Sequence, residues 1–96
     1  MAARETRREE NQRLFRMGNE RLDDAVDGRI PDDATVPFLC ECADEYCDDR
    51  VELRRSQWGS VAAKPSHFVM VSGHPRSEGE VIVGDIDDYD VVRKPG

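Results

Sequence analysis

Three cysteines fall within eight residues of this 96-residue chain, as Cys40-Glu41-Cys42 and, four residues on, Cys47. Side chains two apart on a strand share a face, so Cys40 and Cys42 project together. A turn through Asp44, Glu45 and Tyr46 returns Cys47 toward them. Three thiolates gathered at one point repel each other and stay protonated unless a cation lies between them. Zinc suits that position, being soft enough for sulfur and asking only for a tetrahedron; thiolate-rich tetrahedra also accept iron.

A closed structural zinc site needs a fourth ligand, and the chain has two histidines. His74 sits in Gly73-His74-Pro75, where Gly73 permits a sharp turn and Pro75 biases His74 toward extended backbone. His67 lies seven residues earlier, about 23 Å away along an extended strand, and cannot share a mononuclear site with His74. The predicted ligands are therefore Cys40, Cys42, Cys47 and His74. The rival readings are three thiols packed as small hydrophobes, and a redox pair in which Cys40 and Cys42 form a CxC disulfide. The odd cysteine count speaks against an exported disulfide framework.

The string at residues 38–44 (FLCECAD), then Cys47, then Val51-Glu52-Leu53, resembles small uncharacterised proteins of high-GC, actinobacterial-type bacteria. In these an FLCECxxxxC block follows an Arg/Glu-rich N-terminal helix. The likeness runs over residues 5–75, through Trp58, Val61, Pro65, Phe68-Val69 and Gly73-His74. It implies the three cysteines and His74 as the zinc ligands and carries no activity. Gly59 and Ser60 depart from it, standing where the family keeps better helix formers.

The elements that must position these ligands read as α+β: a small zinc-stabilised domain with a β-hairpin cysteine knuckle and a short antiparallel sheet, preceded by a long N-terminal helix. Residues 4–27 contain no proline and one glycine, and read as that helix. Phe15, Leu22 and Val26, with Leu14, Met17 and Ala25, give an apolar stripe from residue 14 onward. Residues 4–13 have no stripe, only Arg and Glu able to pair at i,i+4, so the first turns are expected to project or fray. Asp27, Gly28 and Pro31 end the helix.

Residues 29–35 read as a linker, and residues 36–42 and 51–53 as the strands of the knuckle hairpin. Ser56 is placed as the N-cap of a short helix carrying Trp58, Val61 and Ala62, stopped by Pro65. Residues 68–71 (FVMV) read as a central buried strand, and residues 81–83 and 89–92 as two more. The acidic turn before Tyr89 lacks the Gly and terminal Glu of a calcium loop. The chain thus divides into an N-terminal amphipathic helix, 1–30, and a zinc-binding α+β domain, 31–96.

Composition bounds the function. Leu, Ile, Val and Phe number only 20, and a domain of this size buries only about 60–65% of its unfolded surface. Structural zinc, worth on the order of 10 kcal/mol of folding free energy at neutral pH, offsets so thin a core. The net charge is −7, and all of the deficit lies in residues 31–96, with seven bases against fourteen acids. Such a surface repels phosphate, which makes nucleic-acid binding through Arg4, Arg7, Arg8, Arg13 and Arg16 a weak reading.

No apolar run is long enough to span a bilayer and the first ten residues carry no secretory h-region, so a cytoplasmic location is expected. Four protein ligands leave zinc no open position, and no catalytic constellation appears; the chain reads as non-enzymatic, with no small-molecule substrate. The predicted function is a zinc-binding interaction module or regulatory adaptor that binds another protein, its N-terminal helix a docking element. The alternative is a zinc-thiolate redox sensor using Cys40 and Cys42.

Overall fold

The computed structural model describes residues 2–42, 44, 46–74 and 79–94, with side chains from residue 7 onward. Ala43, Glu45 and Pro75, invoked above, and the side chains of Arg4 and Glu5 lie outside the described residues. Helix α1 (Ala2–Val26) comes first, followed by strands β1 (Thr35–Leu39) and β2 (Arg50–Arg54), helix α2 (Arg55–Ala62), and strands β3 (His67–Val71), β4 (Val81–Ile86) and β5 (Tyr89–Arg93). This is an α+β fold, with an antiparallel β1–β2 pair and a three-stranded antiparallel sheet of order β3-β5-β4.

Period-2 alternation builds the β1–β2 ribbon: Val36 and Phe38 point inward opposite Leu53 and Val51, while Arg50, Glu52 and Arg54 face solvent. Pro37 sits at an outward position, where its missing N–H costs no buried hydrogen bond. Helix α2 lays Trp58 and Val61 on the same core, and the Trp58 indole stacks on Phe38 with centroids 5.0 Å apart. That burial carries the helix through Gly59 and Ser60 despite their poor helix propensity.

The helix starts at Arg55 rather than after a Ser56 cap. Gln57, three residues into the turn, accepts the Arg54 backbone N–H at 2.9 Å, so the capping signal lay in the glutamine.

Strand β3 is an edge strand of its sheet, not the central one its apolar run suggested; β5 is central. Phe68 and Met70 are nonetheless buried against the cysteines and Val69 in the main core, while the knuckle covers the open edge. Glu41 N–H donates to the Val69 carbonyl at 2.9 Å, the Val69 N–H donates to the Glu41 carboxylate, and the Val71 N–H donates to Cys40 Sγ. A second apolar cluster, Phe68, Met70 and Val92 with Cys40 and Cys42, therefore surrounds the cysteines.

Helix α1 departs most from its sequence reading. Leu22 and Val26 pack on the main core, but Leu14 and Met17 are 60% and 42% exposed. Among the described side chains before Leu22, those buried are polar: Gln12, Arg16 and Asn19, at i, i+4 and i+7. The helix is thus docked by residue 12, before its apolar stripe begins. Gly18 lets it pass close to β1, since a Cβ there would stand 3.0 Å from Leu39 Cδ1.

Candidate metal centre

The three cysteines leave the end of β1 on one short excursion. Cys40 and Cys42 lie just beyond the strand, and the turn from Asp44 brings Cys47 back, its N–H bonded to the Asp44 carbonyl at 3.0 Å. Asp44 also accepts the Tyr46 N–H through its side chain, which fixes the turn locally. From the other side of the site, β3 ends in the turn at residues 71–74. The His74 N–H bonds back to the Val71 carbonyl, and Gly73 takes φ 87° at the third position, as a type II turn requires. This turn swings the imidazole over the knuckle.

The result is a group of four: one ligand atom each from Cys40, Cys42, Cys47 and His74, all within 4.8 Å of one another. His74 Nδ1 lies 3.5 Å from Cys40 Sγ and 3.9 Å from Cys47 Sγ. Metal–sulfur and metal–nitrogen bonds of about 2.3 and 2.1 Å in a tetrahedron place sulfur and nitrogen about 3.6 Å apart. The side chains therefore already stand near the separations a tetrahedral ion imposes, and the group can hold a metal. Among the described residues it is the one His/Cys/Asp/Glu cluster with that geometry.

The charges point the same way. All three thiols are free. The Cys40 thiol is pushed up by its hydrogen bond to Cys42 and then by burial, whereas Cys42, which receives that bond, is pulled down to about 5. Burial also pushes Cys47 up. The three thiols titrate together, and before a cation arrives the hydrogen bond between Cys40 and Cys42 favours a shared thiolate drawn toward Cys42. Backbone N–H groups favour the thiolate form at each sulfur: Val71 for Cys40, Asp44 for Cys42 and Asp49 for Cys47. Burial lowers His74, but its hydrogen bond to Cys42, the charge of that sulfur and Asp49 outweigh it and raise the imidazole above its ordinary value.

Two residues of the site went unnoticed in the sequence. Asp49 Oδ2 lies 3.0 Å from His74 Nε2, so a carboxylate orients the imidazole with Nδ1 toward the sulfurs. Its signal was its place two residues beyond Cys47. Glu41, between the two paired cysteines, is 0% exposed. Its carboxylate accepts five hydrogen bonds, from Arg16 Nε and Nη2, Asn19 Nδ2, Trp58 Nε1 and the Val69 N–H. Where Cys40 and Cys42 turn one way, the residue between them turns the other, into the protein.

His67, the histidine set aside above, starts β3 beneath Arg16, to which its carbonyl is an acceptor. No helix among the described residues is long and apolar enough to cross a membrane. No family model matches the chain, and a search of curated proteins and of solved structures likewise finds no match.

Proposed function

We propose that the protein is a non-enzymatic module in which zinc, bound by Cys40, Cys42, Cys47 and His74, is structural, and which binds another protein through the outer face of α1. The observation that carries the zinc reading is the mutual approach of four N and S ligand atoms to within 4.8 Å. That set completes a zinc tetrahedron and leaves no position for water or substrate. The buried setting of Cys40 and Cys42 and the carboxylate on the far side of the imidazole support a structural ion. A centre of free thiols fits the reducing cytoplasm. Partner binding draws on Leu14 and Met17, neighbours on the helix face that points away from the body and both exposed.

Elemental analysis of the purified chain is expected to find one zinc per molecule, absent or strongly depleted in Cys42→Ser and His74→Ala, with a lowered thermal midpoint in both. A metal-free protein of unchanged midpoint, with three titratable thiols, would overturn the site. A partner captured by the wild type and lost with the double variant Leu14→Glu/Met17→Glu, at full zinc content, supports the adaptor. Capture unaffected by that variant counts against α1 as the docking face.

The alternative, a zinc-thiolate redox sensor, uses Cys40 and Cys42; what favours it is Cys47, the most solvent-accessible of the three thiols, through which an oxidant reaches the cluster. Zinc released by dilute peroxide as Cys40 and Cys42 are oxidised, and retaken after a thiol reductant, would favour it.

A further inference from the structure

The polar face of α1 and the metal ligands meet on the same few residues. Gln12 Nε2 donates to the Glu41 carbonyl at 3.1 Å and to Glu80 Oε2 at 3.0 Å. Arg16 pairs with the Glu41 carboxylate through two nitrogens, at 3.1 and 3.2 Å, and lies over the Phe68 ring. Asn19 spans the end of β1, donating to the Leu39 carbonyl and the Glu41 carboxylate and accepting the Leu39 N–H. Apart from Glu80, Phe68 and the His67 carbonyl, every one of these partners lies in residues 39–41. Glu41 stands between two of the proposed ligands, so the directions of Cys40 and Cys42 determine where its carboxylate points.

This half of the helix is held with little apolar burial. Gln12 Oε1 is buried and has no hydrogen-bond partner among the described residues. Its amide cannot be reversed to relieve this, because both neighbours of Nε2 are acceptors. Docking also desolvates an ion pair, which lifting the helix would return to water. Beyond residue 20 the balance reverses, since Leu22 and Val26 pack on the Val36/Phe38/Leu53/Trp58 core, which contains none of the metal ligands.

We infer that α1 is a metal-controlled latch: its segment 7–20 seats on residues 39–41 when the knuckle is closed by its metal and lifts when the knuckle opens, pivoting about Leu22 and Val26. The inference rests on the zinc reading above. Zinc ties Cys40 and Cys42 to the same ion, which holds Glu41 inward at the centre of its five donors. Without the ion the turn is freed, and the contacts that depend on it are lost together. By linkage the coupling is reciprocal, so the docked helix also tightens zinc binding, although among the described residues its hydrogen bonds reach Glu41 and Leu39 and not the ligand atoms themselves.

Hydrogen exchange on the full chain, loaded with one zinc and then stripped by a chelator, reads the latch directly. On zinc removal, amides in residues 8–20 are expected to lose protection by at least about 10-fold more than those of β1, β2 and α2. Arg16→Met is expected to weaken zinc binding, measured against a competing chromophoric chelator, by roughly 5- to 100-fold. Residues 8–20 equally protected with and without zinc, or protection lost evenly along the whole chain, would overturn the latch while leaving the zinc site intact. Zinc affinity unchanged in a folded Arg16→Met would do the same. A chain that takes up no zinc in titration would instead overturn the site itself, and the latch with it. The wild-type exchange comparison needs no variant, so the inference stays testable if Arg16→Met does not fold.

Discussion

Replacing Glu41 with alanine is expected to destabilise the zinc-loaded protein by at least about 3 kcal/mol, a large part of the stability of so small a domain. The magnitude follows from what is left behind. Glu41 is fully buried, and its five donors come from α1, α2 and β3. Alanine strands the Arg16 guanidinium beneath the helix without its counter-charge, and leaves the Asn19 amide, the Trp58 indole N–H and the Val69 N–H short of an acceptor. Each orphaned neutral donor costs about 1–3 kcal/mol and the unpaired charge more, less what rearrangement recovers. Glutamine keeps the shape but turns an amide NH2 toward groups that are themselves donors, so Glu41→Gln is expected to rank close to alanine. The control is Glu52→Ala on the exposed face of β2, expected to stay within about 0.5 kcal/mol. Urea unfolding in excess zinc is the measurement, because it separates loss of the hub from loss of the metal. A Glu41→Ala protein as stable as wild type would show that the carboxylate does not anchor the helix.

The contrast between Glu41 and the cysteines shows what was legible in the sequence. The cysteines announce themselves by rarity and spacing, and His74 by the glycine that lets its turn form. The strands were legible from alternation: Val36 and Phe38 against Val51 and Leu53 follow the period of 2. Three features escaped because hydrophobic periodicity carries no sign of them. The docking face of α1 is a polar i, i+4, i+7 row, identical in composition to a solvated face; only the buried acid opposite it gives it meaning. Strand β3 reads as central because it is apolar throughout, but its second neighbour is a loop held by Cys40 and Glu41 rather than a strand. Leu14 and Met17 entered the stripe as apolar residues at helical spacing, yet they sit on the far side of the helix from Gln12, Arg16 and Asn19. Among 96 residues with so many charges, polarity alone does not separate a face that meets water from one that meets a partner inside the fold.

Zinc affinity is expected to fall about 100-fold for each pH unit of acidification while His74 is neutral, and more steeply once His74 is protonated. The slope is set by how many protons the ion must displace. Cys42 lies at about 5, held down first by its hydrogen bond from Cys40, and is a thiolate near neutral pH. Cys40, raised by that same bond, and Cys47, raised by burial, both sit above the ordinary thiol value and must each release a proton. Two protons per ion correspond to about 2.7 kcal/mol of binding free energy per pH unit. Burial lowers His74, but Cys42 and Asp49 raise it further; once pH falls below its value a third proton is displaced, and the slope rises toward 1000-fold.

The metal-free protein behaves differently, and the sign follows from the same groups. The depressed Cys42 contributes stability present above the unfolded thiol value of 9.0 and lost as pH falls toward about 5. The raised His74 contributes stability present below 6.5 and lost as pH rises through its folded value. Just above pH 6.5 one gains what the other loses, so metal-free stability is flat there while zinc affinity climbs. Calorimetric titration with zinc, in buffers of unequal ionisation enthalpy, counts the protons, and thermal midpoints of both forms across pH 6–8 test the divergence. Two to three protons released per ion is the expected count. None released, with affinity level across that range, would mean that zinc binds to the surface carboxylates and not to the three sulfurs.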